Sequence, residues 1–102
     1  MSSYKITSYT KKKAKKYGVS ISHSSNKTKK LDVWKRNKKI ASIGAIGYND
    51  YPTFMNMKPN KTRSRRDVVE NAKQHRRLYK MRHENNRHRK GTPGFYADKL
   101  LW

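Results

Sequence analysis

Apolar residues are sparse along this chain, and their spacing changes character as the chain proceeds. From Val19 to Ser24 the string VSISHS alternates apolar and polar side chains. LDVWKR does so again, with Leu31 and Val33 directed one way and Asp32 and Trp34 the other. A period of two belongs to a strand with one buried face, so both segments read as strands. Asn37, a residue that tolerates positive φ, then opens a turn into KIASIGAIG, a further β-branched run. This predicts a hairpin from Lys30 to about Gly44. Gly44 and Gly47 mark a bulge or a close backbone approach, and Pro52 in YNDYP marks a turn leaving the sheet.

Beyond the polar, proline-broken NMKPNKTRS the period lengthens to that of a helix. At about 100° per residue, Val68, Ala72, His75, Tyr79 and Asn86 line one face, with Val69, Arg76 and His83 beside them. Arg66, Lys73, Arg77 and Lys80 form a separate basic stripe, roughly a third of a turn away. Ser64 followed by Asp67 is an Asp variant of the capping box, and Gly91 is the expected stop. Thr92 and Pro93 then start a short final helix. Its Phe95, Tyr96, Leu100, Leu101 and Trp102 offer so much apolar area that this end is expected to dock, on its own sheet or on another subunit. Upstream, TKKKAKKYG reads as a helix capped by Thr10 and stopped by Gly18, with only Ala14 and Tyr17 as apolar anchors. A flexible basic arm from Ser2 to Tyr17 is the alternative. The expected fold is therefore α+β: a small three-stranded antiparallel sheet with one long basic helix and a short C-terminal helix. An arm or short helix (1–17) precedes a single domain (18–102) made of sheet 19–57, linker 58–63 and helical part 64–102.

Composition adds two constraints. With 102 residues, only 32% of them apolar, the core must be small. The 27 Lys and Arg outnumber six Asp and Glu, for a net charge of +21 that repels itself and calls for a polyanionic partner. The charge is not spread evenly: residues 10–40 hold twelve bases and one acid, residues 58–90 hold thirteen and three, and 41–57 hold no base at all. The neutral centre, SIGAIGYNDYPTF (42–54), is the expected folded heart. Solubility requires a net charge of only about 2–8, so the two basic blocks point to phosphate binding. The candidate contacts are Lys11, Lys12, Lys13, Lys15 and Lys16, then Arg66, Lys73, Arg77 and Lys80, then Arg87, Arg89 and Lys90. If some six to ten cations meet phosphates, counterion release alone confers affinity that falls steeply with salt and ignores base sequence.

Candidate chemistry is thin. There is no cysteine, which excludes disulfides, thiolate metal sites and zinc ribbons. No run is apolar enough for a signal peptide or a membrane span, and an intracellular chain is expected. His83 and His88 stand five apart and would diverge by about 140° on a helix. The acids are scattered, and no phosphate-cradling glycine loop or nucleophile elbow is present. No catalysis, metal or cofactor is expected. Asp50 reads as a turn acceptor rather than a catalytic or metal group, His75 as packing on the helix's inner face, and Asp98 as a tie to a helix terminus or to an Arg of the preceding helix. Trp34, Tyr48, Tyr51 and Phe54 could stack single-stranded bases, but the scarcity of other apolar residues favours packing.

Two segments, IGAIGYNDYPTF and RHENNRHRKGTPGFYADKLLW, together resemble a family of small basic proteins of nucleocytoplasmic large DNA viruses, notably algal and amoebal ones. The family's motifs are IGAxGYxDYPxY and RHxxxRxxxGSPGYYAxxxLW. The resemblance covers about residues 30–102 and departs mildly, with Phe54 and Phe95 for Tyr and Thr92 for Ser, while the N-terminal arm is unmatched. It implies origin rather than mechanism: a viral protein, packaged in the virion and acting in the host nucleus or a cytoplasmic viral factory. The expected function is non-enzymatic, sequence-independent binding of viral DNA in genome condensation or packaging. The alternative is a minor capsid or cement protein on the inner capsid face, its basic surface toward acidic capsid proteins or head groups and its FYADKLLW end plugged into a neighbour. RNA in place of DNA, in a regulator of translation, is a third reading.

Overall fold

The computed structural model describes residues 4–102. Strands β1 (Ser20–His23), β2 (Lys29–Lys35) and β3 (Lys38–Ala45) form an antiparallel sheet in the order β1-β2-β3. Arg36 (φ 52°) and Asn37 (φ 63°) both take left-handed backbone at the tip of the β2–β3 hairpin, the two-residue turn whose twist matches the strands. Only Asn37 was expected there. The register pairs Leu31 with Ile43 and Val33 with Ala41, then slips so that Trp34 faces Lys39. The slip leaves Ile40 as an extra residue. Ile21, Leu31, Val33, Ala41 and Ile43 thus share the core face. Ser22, Asp32, Trp34 and Ser42 take the other face.

Four helices complete the chain: α1 (Ser8–Lys16), α2 (Tyr51–Met55), α3 (Arg65–Arg82) and α4 (Pro93–Leu101). The cap of α1 is Thr7, not Thr10. Thr7 Oγ1 accepts the Thr10 N–H at 3.3 Å, and Thr10 is itself buried inside the first turn. Ala14 of α1 joins the core beside Val19 and Tyr96, so this helix packs into the same body as the sheet. Positions 1–3 of the expected arm lie outside the described residues.

The short α2 was not expected. Asp50 caps it and Pro52 sits in its first turn, where a missing N–H costs nothing, so YNDYP starts a helix as it leaves the sheet. Ser64 and Asp67 close the capping box on α3 as predicted, at 3.1 and 2.9 Å. That helix ends at Arg82 with His83 as its C-cap, well before Gly91. Residues 83–91 run as turns, with the N–H groups of Asn86 and Arg87 both bonded to the His83 carbonyl. Asn86 therefore does not continue the inner face of the helix.

Thr92 caps α4 through the Phe95 N–H at 3.2 Å. The apolar C-terminal end docks on its own sheet: Leu100, Leu101 and Tyr96 are buried in the core cluster, with Phe95 and Trp102 packed against it. Gly44 makes this fit possible. Its φ of +77° suits glycine, and a Cβ there would lie 2.9 Å from both Leu101 Cδ1 and Lys30 Cδ. On the α3 side, Phe54 stacks on His75 (4.1 Å, 9°) and Trp102 on Tyr79 (4.4 Å, 7°), joining α2 and α3 to α4. Among the described residues, no helix is long and apolar enough to cross a membrane.

Candidate nucleic-acid interface

The helices bring cations from distant parts of the chain to one place. Asp98 on α4 has a fully buried side chain, and its Oδ1 accepts from Lys80 Nζ of α3 at 2.6 Å. Its Oδ2 accepts no well-aligned hydrogen bond and is approached instead by Lys99 Nζ at 3.2 Å and Arg87 Nη1 at 3.7 Å. Burial pushes the Asp98 carboxyl up, but the ammonium groups of Lys80 and Lys99 outweigh it and hold the acid below its usual range.

The cations around it are oversupplied. Lys80 is held below its usual value because burial, with the charges of Arg76 and Arg87, outweighs the pull of Asp98. Lys13 of α1 is likewise lowered, by partial burial and then by Lys16, Arg76, Lys80 and Lys99. Burial is the first cause at both ammonium groups, and the charge of Arg76 acts on both in the same direction. Aromatic rings hold three of the cations in place: Lys13 lies 5.5 Å from the Tyr9 ring centre, Arg76 4.7 Å from Tyr51 and Lys99 5.5 Å from Phe95.

The predicted contact residues divide accordingly. Lys11, Lys12, Lys15 and Lys16 are exposed on α1, Arg66, Lys73 and Arg77 on α3, and Arg89 and Lys90 in the turns after it. Lys13 and Lys80 belong to the junction of α1, α3 and α4. Lys80 therefore leaves the open stripe, its charge engaged by Asp98. Arg87 is also engaged, donating to Glu84 Oε2 through Nε (3.0 Å) and Nη2 (2.6 Å). Arg76 and Lys99 were missed. Asp98, the lone acid of the apolar C-terminal end, was the signal for them, since a buried carboxylate in this chain must gather cations.

The other singled-out residues have structural partners. Asp50 is 1% exposed and accepts four hydrogen bonds: Thr53 N and Oγ1 at 3.0 and 2.6 Å, Tyr4 Oη at 2.6 Å and Lys30 Nζ at 3.1 Å. It accepts hydrogen bonds, as expected, but as the cap of α2 rather than in a turn, and with a buried ion pair added. His88 meets Glu84 at 3.0 Å, and His83 lies against Tyr79 at 4.3 Å. Among the described residues, no three His, Asp or Glu gather as metal ligands. The four aromatics do not form one platform. Phe54 is buried on His75, Tyr51 packs with Tyr9 and Arg76, and Trp34 bonds Ser22 on the far face of the sheet. Tyr48, by contrast, is 74% exposed and belongs to no core. No known protein family, curated protein or solved structure matches the chain.

Proposed function

We infer that this protein binds nucleic acid through backbone phosphates, without base preference, at the junction of α1, α3 and α4 and along the exposed lysines and arginines beside it. The observation that carries this reading is geometric: Lys80, Lys99 and Arg87 gather around the one buried Asp98, with the exposed lysines of α1 and the exposed Arg66, Lys73 and Arg77 of α3 beside them. A phosphate brought there supplies the missing counter-charge and releases the counterions of the nucleic acid. The exposed cations of α1 and α3 extend the surface. The long axis of the molecule, 46 Å, spans roughly 13 base pairs at about 3.4 Å each. The viral resemblance makes viral DNA the natural polyanion, and condensation or packaging in the virion the natural role.

The test is titration with random-sequence duplex DNA over a range of salt. With six to ten phosphates neutralised, log K against log salt should fall with a slope of about −5 to −9. Replacing exposed Lys11, Lys12 and Lys15 by Gln should reduce the slope by about 3 without affecting folding. A flat slope, or capture by an acidic protein shell in place of DNA, would overturn the reading in favour of the architectural role.

A further inference from the structure

Facing the gap between sheet and helices is a cavity of about 440 Å³, within the range of roughly 300–1,000 Å³ that accepts a small organic ligand. Its lining is unusual for so basic a protein. Tyr79 and Trp102 contribute their stacked pair, and Tyr48 stands at the wall. Tyr48 follows Gly47, whose φ is +94°, in the loop between β3 and α2. It is the most exposed large hydrophobic side chain among the described residues, and a ring left in water is a ring available for stacking. Asn49, exposed beside it, offers an amide that both donates and accepts. Arg82 supplies an exposed cation. The one carboxylate in the lining, Asp50, has both oxygens engaged by donors from Thr53, Tyr4 and Lys30, so it does not repel an incoming anion through an open face.

A flat ring to stack on aromatics, a polar edge to pair with an amide, and an anion to meet a guanidinium describe a nucleotide. We propose that this cavity takes one unstacked nucleobase, with its phosphate on Arg82. The proposal rests on the phosphate-binding reading and adds to it: the protein grips single-stranded nucleic acid at a base as well as along the backbone. An apolar side chain of a partner protein would leave Arg82 and Asn49 facing nothing they can bind, and a chain of net charge +21 recruits polyanions first.

The experiment compares a single-stranded DNA oligonucleotide with an abasic oligonucleotide of equal length and charge, and with a mononucleotide, all against the full chain. Replacing Trp34 by Phe leaves Trp102 as the sole tryptophan and a reporter of the cavity. The base-bearing strand should bind roughly 5- to 150-fold more tightly than the abasic one and quench Trp102. Tyr48→Ala, at an exposed position, should remove most of that advantage, and Tyr48→Phe should keep it. Mononucleotide binding that quenches Trp102 and is lost in Arg82→Gln would support the same site with free nucleotide as a second source of ligand. Equal binding of base-bearing and abasic strands, without quenching, would overturn the cavity proposal and leave phosphate binding standing. Binding of neither strand would overturn both.

Discussion

Asp32 and Asp98 are both buried acids in a strongly basic chain, at 2% and 1% exposure, yet they are accommodated in opposite ways. Asp32 lies on the sheet face turned away from α4. Neutral donors enclose it: Ser24 Oγ and Ser42 Oγ at 2.6 Å each, and the Ser25 N–H at 3.2 Å, with Lys39 more distant at 3.9 Å. Burial pushes its carboxyl up, but these hydrogen bonds outweigh burial and hold it below its usual range. Asp98 is surrounded by Lys80, Lys99 and Arg87 and leaves one oxygen without an aligned donor. Neutral donors complete a charge and close its site. Cations in excess of the acid leave a net positive field, which is where an external anion gains most.

The strongest way to break this comparison is to neutralise each acid in turn, since both variants raise the net charge by one and differ only in place. Asp98→Asn leaves three cations around an amide and should lower stability by about 3 kcal/mol, as removing one member of a buried pair does. The same variant should bind duplex DNA more tightly at low salt and regain thermal stability when DNA is added. Asp32→Asn should cost about 2 kcal/mol, through hydroxyls left without their charged acceptor, and leave DNA affinity unchanged. Equal shifts in DNA affinity for the two variants would erase the distinction.

Acid titration examines the same pair by protonation. Both carboxyls are held below 3.8 in the folded state, so their contribution is fully present above that value and is lost as pH falls through the lower folded values. Helical signal followed by circular dichroism should therefore persist to below pH 4 and collapse beneath it. In Asp32→Asn the collapse should be shallower, because one of the two protonation steps has gone.

Gly44→Ala ranks next. The new methyl meets Leu101 and Lys30 at 2.9 Å on backbone with φ of +77°, and the combined overpacking and strain should cost roughly 1–3 kcal/mol. Because Leu101 anchors α4, amide exchange should speed up around Asp98 and remain slow around Asp32. Uniform loosening would mean that the two acids belong to one cooperative unit and not to separable halves.

Much of this arrangement was legible in the residues. Alternation at VSISHS and LDVWKR, the turn at Asn37, the Ser64 and Asp67 box and the Thr92–Pro93 start are local signals, and the structure contains each. What escaped was decided at a distance. Lys80 has the right spacing for an outward stripe, but Asp98, eighteen residues away, draws it inward. Arg76 and Lys99 enter the cationic junction only once α4 has folded back beside α1 and α3. The length of α3 was misjudged because Gly91 is a plausible stop, whereas the helix ends at Arg82 and the chain turns where the Asn86 and Arg87 N–H groups both bond the His83 carbonyl. Helix α2 was hidden because Asp50 and Pro52 suit a turn as well as they suit a helix start.

The smallest effect concerns the end of α3 farthest from Asp98. Ser64→Ala removes the hydroxyl that accepts the Asp67 N–H at 3.1 Å and should cost about 1 kcal/mol. Lys80 lies sixteen residues further on, about 24 Å along the helix at 1.5 Å per residue, so fraying at Ser64 should not disturb the junction. The predicted outcome is a lower melting temperature with DNA affinity nearly intact, reduced only as far as Arg66 contributes from the first turn. A large loss of affinity in this variant would move the binding surface from the junction to the start of α3, and the contrast between Asp98 and Asp32 would then concern stability alone.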